Sequence, residues 1–297
     1  MTLPLVRGKY KLNYNLAHLT WFKVGGAADI LFKPKDAEDL ASFLQQNANT
    51  LPVTVLGAGS NMIIRDKGIE GVVVKLGQGF TAMEILPDGK LSVGAGCLNF
   101  NLAKFAQGHC LKGFEFLVGI PGTIGGGVTM NAGAYGNDFK DIVSSVWTLD
   151  KNGKSQQIYS EDIGFSYRKN ALSEELIFTK VLFKTESGDA DRIQARMDEI
   201  GRNRAFTQPI TEKTGGSTFA NPPGRKAWEL IDAAGLRDKK LGGASMSSKH
   251  CNFMINNGKA TASDMEELGE FVRKEVKEQS GVELKWEIKR IGRDGRV

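Results

Sequence analysis

The chain has 297 residues, 41% of them hydrophobic and 25% charged, ordinary values for a soluble globular protein with room for two domains and a substantial core. A net charge of +5 and a pI near 9.0 suit an anionic small-molecule ligand or simply a mildly basic surface, while the lack of any basic run interleaved with aromatics argues against nucleic acid. No stretch approaches 18 apolar residues and the N-terminal MTLPLVRGKYKLNYNLAH has no signal-like apolar core, so no membrane association and a cytoplasmic location are expected.

In chain order, the spacing predicts a strand over 27–34, a helix over 36–48 opened by Asp36, and a strand over 52–56 that runs into Gly57-x-Gly59. A strand over 71–76 follows. Hairpin signals stand at Pro87-Asp88-Gly89 and Asn152-Gly153, on either side of a helical stretch over 97–109 with Leu98, Leu102 and Phe105 on one face. This is an α+β pattern with antiparallel strands and without the regular β-α-β-α rhythm of a doubly wound sheet. Near residue 190 the character changes. DADRIQARMDEIGRNRAF reads as a charged helix, and residues 207–224 are rich in turn formers. A helix over 225–234, a strand over 251–256, a helix over 263–279 and a final strand over 283–291 complete the chain. For the 263–279 helix, Ser263 and Glu266 form the expected capping box, and Met265, Leu268, Val272 and Val276 the buried stripe.

Glycine is the compositional anomaly: 36 of the 297 residues, against about 7% on average. GIPGTIGGGVTMNAGAYG, residues 119–136, holds seven glycines in eighteen positions. Such density calls for φ > 0 turns or close backbone approach, and a phosphate or nucleotide lying on bare N–H groups is one occupant that needs it. Tight structural turns are the other explanation. VLGAGSNMIIRD (55–66) departs from the dinucleotide fingerprint, since Met62 holds its third glycine position and no long helix follows. What remains is a strand, a glycine turn and the donors Ser60 and Asn61. Cys97, Cys110 and Cys251 are odd in number and far apart, which suits reduced thiols. Two of them follow histidines, yet neither pair has metal-ligand spacing or carboxylate support, so no metal is expected.

Taken by themselves, three further residues have ordinary readings: Arg168 as a solvated loop charge, Ser217 as a turn residue bonded to its own backbone, and Glu287 as an exposed strand charge beside Lys285 and Lys289. The order of motifs changes that. TWFKVGGAADILFKP, VLGAGSNMIIRDKGIEGVVVKL, FEFLVGIPGTIGGGVTMNAGAYG, FSYRKN, GGSTFANPPG, SSKHCNFMINNGKATASD and VELKWEIKRIG together resemble the UDP-N-acetylenolpyruvoylglucosamine reductases, over nearly the whole chain. GIPGTIGG with MNAGAYG, and GSTFANP, are the specific part; GAGSN is shared with other flavoproteins of the vanillyl-alcohol-oxidase type.

The resemblance implies an FAD-binding region of the vanillyl-alcohol-oxidase (PCMH) type over 1–195, in two lobes of about 1–76 and 77–195, and a C-terminal α/β substrate-binding domain over 196–297. It implies FAD contacts from Gly57, Ala58, Gly59, Ser60 and Asn61, and from Gly119, Ile120, Pro121, Gly122, Thr123, Gly125, Gly126, Asn131, Ala132 and Gly133. NADPH is the implied reductant, and Arg168, Ser217 and Glu287 the catalytic residues. Hydride would pass from flavin N5 to the enolpyruvyl CH2 carbon and a proton would come from Ser217. Tyr167 and Asn221 would touch the sugar nucleotide, with Arg202, Arg204 and Lys213 as added positive charge. The segment after Arg168 is too short for the tyrosine-bearing loop that some relatives close over the substrate, so the shorter subtype is expected, acting as a monomer. Two competing readings are an oxidase or dehydrogenase on the same fold and a catalytically silent nucleotide sensor.

Overall fold

In the computed structural model, residues 3–294 are described. They divide into two compact units: one takes residues up to Leu12, Ile30–Ala58 and Gly71–Arg202, and the other takes Asn13–Asp29, Gly59–Glu70 and residues from Asn203 onward. The chain passes between them within the strands Lys9–Asn15, Ala27–Lys33 and Ile69–Val74, at the turn Ala58-Gly59 and within the helix Ala190–Thr207.

The first unit contains a five-stranded antiparallel sheet in the order Ser155–Tyr159, Val143–Leu149, Ile177–Phe183, Leu91–Gly94, Met83–Ile85. Both hairpin signals close edges of this sheet. Ile85 pairs with Leu91 around Asp88-Gly89, and Leu149 pairs with Ser155 around Asn152-Gly153, where Asp150 Oδ1 accepts the N–H groups of Asn152 (2.9 Å) and Lys154 (2.8 Å). Aspartate bonding to backbone just ahead of it is what makes such turns tight. Val93, Val143, Val146, Val181, Phe114, Phe139 and Phe183 pack on the sheet, all essentially without exposure. A second core gathers Phe32, Leu40, Phe43, Val72 and Val74 around the helix Ala37–Asn47.

The second unit is built on the antiparallel sheet Thr214–Ser217, Phe253–Asn256, Ala244–Met246, Lys240–Leu241. The helix Ala262–Ser280 contributes the stripe Met265, Leu268, Val272 and Val276, each fully buried as its 3.6-residue spacing predicts. Its start differs from the sequence expectation. Thr261 is the N-cap, its side chain accepting from Asp264 N–H while Asp264 accepts from Thr261 N–H. Ser263 and Glu266 are drawn elsewhere: Ser263 donates from N and Oγ to Asp66, and Glu266 accepts from Arg65 Nε at 3.0 Å. Capping went to the residue just before the first helical N–H, and the tertiary partners claimed the other pair.

The final strand also differs, because it is two. Lys285–Trp286 pairs antiparallel with Phe219–Ala220, and Lys289–Ile291 pairs parallel with Met62–Ile64. Between them the N–H groups of Glu287 (2.9 Å) and Ile288 (3.4 Å) both point to the Thr218 carbonyl. One acceptor serving two consecutive donors ends a ladder, and the chain changes partner there. Among the described residues no helix is long and apolar enough to cross a membrane.

Gly269 sits inside the long helix because a Cβ there would lie 2.1 Å from the Trp286 ring. Gly269→Ala should gain about 1 kcal/mol of helix propensity and lose more through overpacking, which costs about 1–3 kcal/mol. A lower urea midpoint is the expected outcome, and a higher one would show that Trp286 is free to move away.

Candidate active site

In the first unit the glycine-rich segment is held from below by backbone bonds. Ile124 and Gly125 donate to the carbonyls of Cys97 and Ala95, both at 2.8 Å. Asn99, almost fully buried, ties down the Ile120-Pro121-Gly122 turn: its Nδ2 donates to the Ile120 carbonyl at 3.1 Å and its main-chain N–H to the Gly122 carbonyl at 3.0 Å. Thr123 caps the short helix Ile124–Thr129 by accepting the Gly126 N–H at 3.3 Å. The second glycine turn arrives at the same place, since a Cβ on Gly57 would lie 2.9 Å from Thr123 Oγ1. Gly57 and Ala58 thus share a unit with Gly119–Gly133, while Gly59, Ser60 and Asn61 belong to the other unit. Gly59 has a reason of its own there: φ is +66° and a Cβ would lie 2.2 Å from the Leu19 carbonyl.

The far end of the segment is a hydrogen-bonded knot. Asn131 is buried; its Oδ1 accepts from Lys140 N–H (3.0 Å) and its Nδ2 donates to Asp138 (3.3 Å) and to the Ser166 carbonyl (3.1 Å). Ala132 donates to the Gly127 carbonyl at 2.9 Å, and Gly133 pairs with Asp138. The turn that carries Tyr167 and Arg168 is docked on this knot. Ser166 and Lys169 exchange backbone bonds of 2.9 and 3.2 Å, and Asn170 Nδ2 donates to the carbonyls of Val128 (3.2 Å) and Thr129 (3.1 Å). Arg168 stands at φ +59°, a conformation few non-glycine residues take and one that clusters at functional sites. Its guanidinium lies 5.0 Å from the centre of the exposed Tyr167 ring.

In the second unit Ser217, half-buried at the end of Thr214–Ser217, pairs with Phe253 across a bulge. Glu287, also half-buried, is brought to the next residue, through its N–H bond to Thr218. Asn61 joins them: its Nδ2 donates to the Glu287 carbonyl at 3.2 Å, and its own carbonyl accepts from Lys289 N–H at 3.1 Å. Asn221 is exposed and uses Oδ1 to accept the Ala227 N–H at 3.0 Å, at the start of the helix Ala227–Ala233. Ser217, Glu287, Asn61 and Asn221 therefore lie in one unit and Arg168 and Tyr167 in the other.

Lys75 is a residue the sequence reading passed over. Its Nζ donates to the Gly57 carbonyl, directly at the glycine turn. Burial, with Lys33 as a second and smaller cause, pushes its pKa down to about 8. The available signal was a charge at the end of the otherwise apolar run GVVVKL. Among the described residues no group of three or more His, Cys, Asp or Glu is placed to hold a metal ion, and the three cysteines are free thiols.

Comparison with known proteins matches two family models in chain order: an FAD binding domain over residues 28–159 and the UDP-N-acetylenolpyruvoylglucosamine reductase C-terminal domain over 208–291. The UDP-N-acetylenolpyruvoylglucosamine reductase of Rickettsia conorii is 63% identical over 293 residues, 99% of both chains. That of Rickettsia canadensis is 61% identical over 294 residues, again 99% of both. The solved UDP-N-acetylenolpyruvylglucosamine reductase of Thermus caldophilus superposes with a TM-score of 0.84 at 34% identity, covering 96% of this chain and 99% of that one. With both domains matched in order and the relatives aligned from end to end, the chain belongs to the UDP-N-acetylenolpyruvoylglucosamine reductase family of oxidoreductases.

Proposed function

We propose that this chain reduces the enolpyruvyl ether of UDP-N-acetylglucosamine-enolpyruvate to UDP-N-acetylmuramate, a cytoplasmic step toward peptidoglycan, with FAD as bound carrier and NADPH as reductant, as a monomer. The observation that carries the reading is the arrangement of Ser217 and Glu287 about the backbone of Thr218, in a chain aligned throughout with the reductases. A flavin oxidase would have no use for that pair.

The glycines support the fit of FAD to the first unit. Gly127 is explained by the protein itself, because the Phe139 ring occupies its Cβ position at 2.1 Å. Gly126 is not: it is exposed, its φ is not positive, and a Cβ there would meet nothing nearer than Thr123 Oγ1 at 3.4 Å. A surface glycine without crowding or special backbone geometry leaves its backbone open to close approach by a ligand. Gly57, Ala58, Gly59, Ser60 and Asn61 on one side, and Gly119–Gly133 with Gly126 at the contact, would hold the cofactor. FAD held there and reduced by NADPH would supply the hydride for the enolpyruvyl CH2 carbon.

The protein's part follows from charge. Adding hydride to the CH2 carbon breaks the double bond and leaves an electron pair on the neighbouring carbon, conjugated with the carboxylate. Arg168, permanently protonated and able to grip a carboxylate through two N–H groups, would stabilise that charge. Glu287, protonated or through a water, would assist. Ser217 Oγ–H then gives its proton to the carbanionic carbon and regains one from solvent. Two electrons leave NADPH, one hydride and one proton reach the substrate, and NADP+ departs. Tyr167 would support the arginine, and Asn221 would touch the diphosphate.

Ser217→Ala should slow reoxidation of the reduced flavin by the enolpyruvyl sugar by on the order of 10²-fold or more, while NADPH reduces the flavin at a near-normal rate, as read by stopped-flow absorbance. Wild-type reoxidation in that variant would remove Ser217 from the chemistry. Gly126→Val should fold and yet purify without its flavin, and a normal flavin spectrum would return the glycine cluster to a structural role. Because no second nucleotide fingerprint exists in the sequence, one site should serve NADPH and sugar nucleotide in turn. Parallel initial-rate lines are then expected, and intersecting lines with a stable ternary complex would contradict it.

A further inference from the structure

The motif SSKHCNF carries part of the family resemblance, yet none of its residues takes a role in the chemistry above. Asn252, its last residue but one, is 3% exposed and makes bonds that converge on the two residues after Ser217. Its main-chain carbonyl accepts the Thr218 N–H at 2.7 Å. Its side chain faces Phe219 as a second strand would: Oδ1 accepts the Phe219 N–H at 3.0 Å and Nδ2 donates to the Phe219 carbonyl at 2.9 Å, both bonds buried. A primary amide offers one acceptor and one donor side by side, the same edge that a peptide presents in a ladder.

That substitution matters because the true ladder stops here. The register between Thr214–Ser217 and Phe253–Asn256 ends at Ser217↔Phe253, and Phe219 turns away to pair with Trp286. Two peptide units meet at Thr218, between the two pairings. The Ser217–Thr218 peptide gives its N–H to the Asn252 carbonyl. The Thr218–Phe219 peptide gives its N–H to Asn252 Oδ1 and its carbonyl receives the N–H groups of Glu287 and Ile288. A rotation of the Thr218–Phe219 peptide would release Glu287 on one side and shift Ser217 through Thr218 on the other. His250 Nδ1 in turn accepts the Asn252 N–H at 3.4 Å, so the motif holds its own asparagine in place.

We propose that Asn252 is a positioning residue for the proton-transfer step: its side-chain amide stands in for a missing strand and sets the orientation of Ser217 and Glu287 through the Thr218–Phe219 peptide and the Thr218 backbone. The inference rests on the reading of Ser217 as proton donor, and the two can fail separately. The test uses the flavin-loaded enzyme and its two half-reactions. In Asn252→Ala, and in Asn252→Ser, which keeps an acceptor near the Phe219 N–H, reoxidation by the enolpyruvyl sugar should fall by about 10- to 100-fold, the size of effect that misplacement by about 1 Å produces. Reduction by NADPH should stay within about twofold, with the smaller loss on reoxidation in the serine variant. Introduced into the Ser217→Ala/Glu287→Gln background, Asn252→Ala should change the residual rate by less than about twofold, because residues that act as a unit do not add.

Equal slowing of both half-reactions, an undiminished reoxidation rate, or a full further loss in the double-variant background would each overturn the proposal. So would failure of both single variants to fold with bound flavin, which would make Asn252 purely structural. If Ser217→Ala alone leaves reoxidation at the wild-type rate, it is the proton-donor reading that falls, and the proposal with it. If Ser217→Ala slows reoxidation and the Asn252 variants do not, only the positioning role is lost.

Discussion

The backbone of Thr218 is the constraint on which the second unit's site depends. A buried N–H and a buried carbonyl must both find partners, and here the partners are Asn252 on one side and Glu287 with Ile288 on the other. Satisfying the backbone of one residue therefore brings together two segments, those of Ser217 and Glu287, that lie far apart in sequence. The Trp286 ring reinforces the arrangement. It packs in the gap at Gly269, bonds Glu270 through Nε1 at 2.8 Å and carries the Arg290 guanidinium 4.4 Å from its centre. Glu287 is thus bracketed by an anchored Trp286 and a buried Ile288.

In the first unit the corresponding constraint is crowding. Gly119, Gly125 and Gly127 are pressed by Tyr135, Ala95 and Phe139 respectively, so the glycine-rich segment is packed against a core and is not a loose loop. Its order comes from side chains that take the place of secondary structure: Asn99 under the Ile120–Gly122 turn, Asn131 at the far end, and Asn170 binding the arginine turn to the helix end. Asparagine recurs because its amide can both donate to and accept from backbone that has left a helix or strand. A rigid support of this kind is what a binding surface made of exposed backbone requires.

Electrostatics plays a local role. Lys75 is held at the Gly57 carbonyl in partial burial, which lowers its proton affinity, because desolvation disfavours the charged form. Arg168 keeps its charge in any surroundings and is instead constrained by backbone, at φ +59° over an aromatic ring. Lys75 and Arg168 are therefore positioned by different means, one by a carbonyl and one by a strained turn.

The sequence by itself determined the local features. Hairpins at Asp88-Gly89 and Asn152-Gly153, the apolar stripe of Ala262–Ser280 and the α+β class were legible because turn chemistry and periodicity act within a few residues. The ordered motifs were enough to point to the reductase family and to Ser217, Arg168 and Glu287 as residues to watch. Tertiary structure decided the rest. Whether Ser263 or Thr261 would cap the long helix depended on Asp66, nearly two hundred residues away, and the last strand broke in two because the Thr218 carbonyl took two donors. Lys75 and Asn252 gained their places only when distant segments met. Periodicity reports which face of an element is buried; it holds no information about which backbone group across the fold will lack a partner, and it is those unpaired groups that assign a buried lysine or asparagine its role.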